Sequence, residues 1–133
     1  SGSAQEELTV MGTAVAEIIT LTTDAFLKND PAIAKRVEPL EEVIDNLNVQ
    51  IKARHIERLQ RGECTTLLGF VLTDLITSFE RIADHCSNIA ICIIQSGKNT
   101  YDAHIYLDRL KASDDRFFRE TYTAFQEKYH VPQ

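Results

Sequence analysis

Two acids stand one helical turn apart in Phe79-Glu80-Arg81-Ile82-Ala83-Asp84-His85, and Glu41 and Asp45 repeat that spacing in Glu41-Glu42-Val43-Ile44-Asp45. Like charges at i, i+4 cost a helix roughly 0.2–0.5 kcal/mol. Only Arg81 is placed to relieve Asp84, whereas a solvated face would ordinarily set a lysine or arginine four residues from each acid. Thr77, Glu80, Asp84 and Asn88 share one side of a helix, so their oxygens point the same way. Hard cations that prefer oxygen, such as iron, magnesium, calcium or manganese, take such ligands, and zinc takes them with help from histidine. The competing reading is a wet acidic face with tolerable repulsion, and one helix alone does not choose between the two.

The height of the pairs adds a second constraint. Counted from Gly62, Glu41 and Asp45 lie 21 and 17 residues back, and Glu80 and Asp84 lie 18 and 22 residues forward. At about 1.5 Å per residue, each pair sits roughly 25–33 Å from a turn at Gly62, level in an antiparallel hairpin. Four carboxylates at one height are harder to dismiss as a wet face than two, although spacing does not show whether both pairs face the same groove.

Three long helices are expected to carry these residues. The first spans about residues 4–28, with Leu8, Met11, Val15, Ile18, Thr22 and Ala25 on one stripe and Glu17 and Asp24 on its polar side. Asn29-Asp30-Pro31 ends it and opens the next, since Asp suits an N-cap and Pro the first helical position. The second helix has a seam of Ile33, Val37, Leu40, Ile44, Leu47 and Ile51, and Pro39 predicts a kink or a fresh start near residues 35–39. Arg58 and Arg61 before Gly62 suit a helix C-terminus, and His55 is expected to be partly buried or on the surface. The third helix shows a seam of Leu68, Leu72, Leu75, Phe79, Ile82, Cys86, Ile89 and Ile93, with a small row of Gly69, Ile76, Ala83 and Ala90 beside it. On this seam Glu80 and Asp84 fall on the far side. A shorter segment over 101–111 and a final helix over about 113–130 follow, the latter with an aromatic stripe of Phe118, Tyr122, Phe125 and Tyr129 that should cover the bundle.

Composition narrows the function. The chain has 133 residues, one domain by length, and a formal net charge of −6, which argues against a nucleic-acid partner and repels free phosphate unless a metal intervenes. The longest uninterrupted apolar run is Ile89 to Ile94, far short of the roughly 20 residues of a membrane span, so the chain as given is expected to be soluble. Cys64, Cys86 and Cys92 are an odd count with no Cys-x-x-Cys pair, and Cys86 lies in the apolar seam. Free thiols in a reducing compartment are the simplest reading. Ser1-Gly2-Ser3 reads as an expression scar, leaving residues 4–97 as the bundle and 98–133 as a helical extension packed on it.

The run from Met11 to Ile94 resembles the PhoU domain, whose three-helix repeat carries acid-x-x-x-Asp on its second helix and a Leu-Glu-Arg-Ile-Gly-Asp-His-like run on its third. Here these are Glu41-x-x-x-Asp45 and Phe79-Glu80-Arg81-Ile82-Ala83-Asp84-His85, with Asn88-Ile89-Ala90 matching the family's Asn-Ile-Ala ending. Ala83 replaces the usual Gly and Phe79 the usual Leu. A full-length PhoU protein resembles two such repeats, and this chain holds one. The stretch 101–129 is similar to the C-terminal tail of sodium/phosphate cotransporter proteins that end in a PhoU-like domain. The resemblance implies an all-α antiparallel three-helix bundle with an added C-terminal helix or helices. It also implies a regulatory domain of phosphate uptake at the cytoplasmic face of the membrane. Its partner would be the membrane transporter part of the same polypeptide or a phosphate-transport complex, and it could form a homo-oligomer. The implied metal ligands are Glu41, Asp45, Glu80 and Asp84, holding an iron, zinc or other divalent ion or cluster. Glu42 substitutes if the second helix is rotated, Asn88 is a neighbour, and His85 is structural.

Two other classes compete. A carboxylate-bridged di-metal enzyme needs inward-facing acids and two Glu-x-x-His motifs, and the one present is Glu127-x-x-His130. A pure interaction scaffold would use the acidic face to dock a basic surface without metal. A nucleophilic enzyme ranks lowest, because no cysteine has a convincing histidine partner and no Gly-rich phosphate loop or serine elbow occurs.

Overall fold

The computed structural model describes residues 2–96 and 116–132. They form α1 (Gly2–Lys28), a single turn α2 (Pro31–Ala34), α3 (Val37–Gln60), α4 (Thr66–Gln95) and α5 (Arg116–Lys128). There is no strand among the described residues, and α1, α3 and α4 each pack against the other two. This is the expected all-α bundle, with α3 antiparallel to both long neighbours. The expected segment over 101–111 and the Ser113-Asp114-Asp115 cap lie outside the described residues.

The turns follow from residue chemistry. Asn29 takes φ 47°, the left-handed conformation that asparagine tolerates, and stops α1. Asp30 then accepts a 2.9 Å hydrogen bond from the Ala32 amide while Pro31 starts α2. The chain breaks at Lys35 and Arg36 and begins α3 afresh at Val37, so Pro39 falls in a first turn, where its missing N–H leaves no bond unmade. Gly62, at φ 72°, closes α3 in a conformation that would strain other residues. Thr65, which the periodicity does not single out, caps α4 by accepting a 3.2 Å bond from the Leu68 amide.

Met11, Ile18, Leu40, Ile44, Ile51 and Ile76 are fully enclosed at the centre. Each contributes about 1.5–3 kcal/mol by leaving water. The stripes expected on α1 and α3 are the buried ones, with Leu8 and Ile33 half-buried at the edges. α1 is also apolar and long enough, by length and composition, to cross a membrane, although its apolar stripe is packed into this core.

On α4 the expectation needs correction. The residues turned fully inward are the small row, Gly69, Ile76, Ala83 and Ala90, together with Leu72, Cys86 and Ile93 from one half of the seam. The other half, Leu68, Leu75, Ile82 and Ile89, faces outward. Close approach explains the choice: a Cβ on Gly69 would lie 2.6 Å from Nε2 of His55, so α3 comes as near to α4 as a glycine permits. His55 is accordingly buried.

α5 lies across α3 with Phe125 and Tyr129 buried and Tyr122 half-buried, and the Tyr122 hydroxyl accepts a 2.6 Å bond from Asn46. The aromatic stripe therefore covers the bundle as expected. At its end Lys128 and Tyr129 both donate to Glu17 of α1. Burial alone would raise the Glu17 carboxyl, but those two bonds and the nearby Lys128 and Arg36 charges hold it below its usual range.

Candidate metal centre between the second and third long helices

The rotation of α4 that exposes half the apolar seam also moves its acids. Glu80 is half-buried against α3, not on a far side, and its carboxylate accepts a 2.5 Å bond from the side-chain amide of Asn48. Seven residues on, Ser87 donates a 2.5 Å bond to Glu38. These two bonds lock the antiparallel register of α3 and α4, and between them lie Glu41, Asp45 and Asp84. The four acids singled out by spacing are thus brought to one groove: Glu41 buried, Asp45 and Glu80 half-buried, Asp84 exposed at its mouth.

The electrostatics agree with the placement. Burial pushes the Asp45 carboxyl above its ordinary range, a hydrogen bond with Glu41 opposes the shift, and the Glu80, Glu42 and Asp84 charges add to it. Burial first, and the neighbouring negative charges after it, thus favour the protonated form of Asp45.

The donor set is wider than the four residues. Glu38, Glu41 and Glu42 hold carboxylate oxygens within 4.8 Å of one another, a triad in which Glu38 was not foreseen. Asn48 is also new; its Oδ1 is buried without a hydrogen-bond partner while its Nδ2 serves Glu80. Spacing held the signal for both, because Glu38, Glu41, Asp45 and Asn48 follow steps of three, four and three on one face of α3. On α4 the matching stripe is Glu80, Asp84 and Ser87, so Thr77 and Asn88 fall to the side. His85 is exposed, not structural as expected, and Asn88 is exposed too. Oxygen-rich, like-charged and partly desolvated, the groove has the chemistry of a hard-cation site.

The chain's residues 8–93 match the model of the PhoU domain. The chain belongs to the PhoU domain family. A curated relative, the phosphate-specific transport system accessory protein PhoU homolog 1 of Thermotoga maritima, is 27% identical over 96 residues, covering 71% of this chain and 41% of that protein. The chain thus spans less than half the length of the relative it matches. No solved structure gives a significant match.

One consequence concerns pH. The PhoU groove binds more protons through Asp45 when folded than when unfolded, so stability falls as pH rises from the ordinary Asp value of 3.8 through the raised folded one. Glu17, with a lowered carboxyl, acts in the opposite sense, gaining stability above its unfolded range and losing it as pH falls. In chelated protein, the difference in urea midpoint between Asp45→Asn and wild type should therefore grow in the variant's favour as pH rises. A difference that stays flat with pH would show that Asp45 is not crowded.

Proposed function

We propose that this PhoU domain regulates phosphate uptake without catalysis, binding a divalent or trivalent cation or a small cluster in the α3/α4 groove and relaying its state to a membrane transporter. The observation that carries this reading is the meeting of Glu41-x-x-x-Asp45 with Glu80-x-x-x-Asp84 in one groove, where Asp45 sits within electrostatic reach of Glu80 and Asp84. Glu41, Asp45, Glu80 and Asp84 would hold the metal, with Glu38, Glu42 and the free oxygen of Asn48 as additional donors. Bound cations would add positive charge to a chain whose net charge of −6 by itself repels phosphate.

The transporter context rests on the cotransporter-like tail in the sequence; on that reading the domain would sit at the cytoplasmic face as part of a longer polypeptide. The carboxylate-bridged enzyme reading needs two inward-facing Glu-x-x-His motifs, and in the one the chain has, Glu127 and His130 are both exposed.

Metal analysis of protein purified without chelator, followed by titration of stripped protein with iron and zinc, tests the proposal. Stoichiometric metal in the wild type, lost in Asp45→Asn and Asp84→Asn, is the expected result. Metal-free protein that also takes up none on titration would leave a metal-independent docking scaffold as the function.

A further inference from the structure

Beyond the acid groove, α3 and α4 leave a cavity of about 180 Å³ between them, lined by Lys52, His55, Ile56, Leu72, Thr73 and Ile76. Leu72 and Ile76 are buried, whereas Lys52, Ile56 and Thr73 are exposed around the mouth. The groove begins one turn away, since Asn48 precedes Lys52 by four residues and Glu80 follows Ile76 by four. None of the groove acids lines the cavity.

Two polar groups in this lining want a partner. His55 is only 6% exposed, and its Nδ1 has no hydrogen bond, a state that native interiors rarely leave unrelieved. Its Nε2 lies so near Gly69 that a Cβ there would come within 2.6 Å, so the ring has little room to turn and find one. Lys52 forms no ion pair among the described residues, and the places three and four residues from it are held by Asn48, Val49, His55 and Ile56, none of them acidic. The Thr73 hydroxyl is already spent on the Gly69 carbonyl at 2.9 Å. The rest of the wall is hydrocarbon.

We propose that this cavity binds a small organic carboxylate with an apolar body the size of one ring. Volume sets the body: roughly 150 Å³ of apolar cavity is enough for benzene. Charge sets the head. Lys52 and His55 stand three residues apart on α3, on one side of the helix, so one carboxylate can meet the ammonium and accept from the imidazole N–H. A single lysine matches a single negative charge, whereas a dianionic phosphate would meet further repulsion from a chain of net charge −6. The hydrocarbon would lie against Ile56, Leu72 and Ile76, where it displaces water from apolar walls.

Benzoate, benzyl alcohol and acetate are the probes, titrated into the full chain with chelator present, so that the result does not depend on metal in the acid groove. The readout is the imidazole NMR signal of His55, identified as the one missing from His55→Gln. Benzoate should shift it saturably, with a dissociation constant on the order of 1 mM or tighter, as a fragment in a formed pocket does. The signals of the exposed His85 and His130 should stay in place. Benzyl alcohol, with the ring but no charge, should bind about fivefold more weakly, the worth of an exposed ion pair. Acetate, with the charge but no ring, should lose at least about tenfold. Lys52→Gln should bring benzoate down to the level of benzyl alcohol. Thr73→Phe, at an exposed position, should obstruct the mouth and cost at least about tenfold, with helical circular dichroism and urea midpoint unchanged. A His55 signal that does not move with benzoate up to about 20 mM overturns the proposal. So does benzyl alcohol binding as tightly as benzoate, which would make the cavity a socket for an uncharged apolar group such as a partner's side chain. Benzoate binding that ignores either Lys52→Gln or Thr73→Phe overturns it as well.

Discussion

Replacing Arg58 by methionine should destabilise the domain by about 3–5 kcal/mol, the loss expected when a buried charge is stripped of its partner. The partner is Glu7, fully enclosed, which receives both arms of the guanidinium at 2.8 and 3.0 Å. Arg54 approaches the same carboxylate at 3.6 Å but is a third exposed and spends a donor on the Pro132 carbonyl, so it cannot replace a buried two-pronged bond. The pair ties the start of α1 to the end of α3. Its effect comes from the charge left behind, so Glu7→Leu combined with Arg58→Met should recover most of the loss, because two apolar side chains refill the site without a stranded carboxylate. Urea unfolding of the two single variants and the double one measures this. An Arg58→Met variant within 1 kcal/mol of wild type would mean that water reaches Glu7.

The second large effect is conditional on metal. In chelated protein, Asp45→Asn and Asp84→Asn should be neutral or stabilising by a few tenths of a kcal/mol, since each removes repulsion among neighbouring carboxylates and no ligand is lost. With iron or zinc at a hundredfold excess over its dissociation constant, wild type should gain about 2.7 kcal/mol by mass action. Both variants should lose most of that gain, and by similar amounts, because Asp45 and Asp84 sit in one groove between the Glu38–Ser87 and Asn48–Glu80 bonds. Melting curves of the three proteins with and without metal decide the matter. Curves that coincide in every case would leave the groove a solvated acidic face.

The two predictions draw on different layers of information. Arg58 looked like a favourable charge at a helix C-terminus, a local role that any basic residue could fill. That it is buried depends on Glu7, fifty-one residues earlier, and no periodicity on one helix announces a partner on another. Glu7 itself lies on the continuation of the apolar stripe of α1, where an acid calls for a buried cation, so the residue carried a signal but not the identity of its partner.

What the sequence determined by itself was the three long helices, their order and the turns at Asn29-Asp30-Pro31 and Gly62. Asn29-Asp30-Pro31 and Gly62 act through backbone conformations fixed by their own chemistry, and the stripes of α1 and α3 have one wide apolar face each, which only the core can accept. The height of the acid pairs was legible too, because helical rise is constant and Gly62 fixes the origin. The rotation of α4 was decided only in three dimensions. Its apolar arc is too wide for one interface, and a row of leucines and isoleucines outranks a row of Gly69, Ile76, Ala83 and Ala90 on hydrophobicity alone. Packing inverted that order, since the small row is the buried one and at Gly69 lets α3 approach as closely as a glycine permits. The same turn of the helix carried Glu80 to Asn48 and set the two acid pairs face to face.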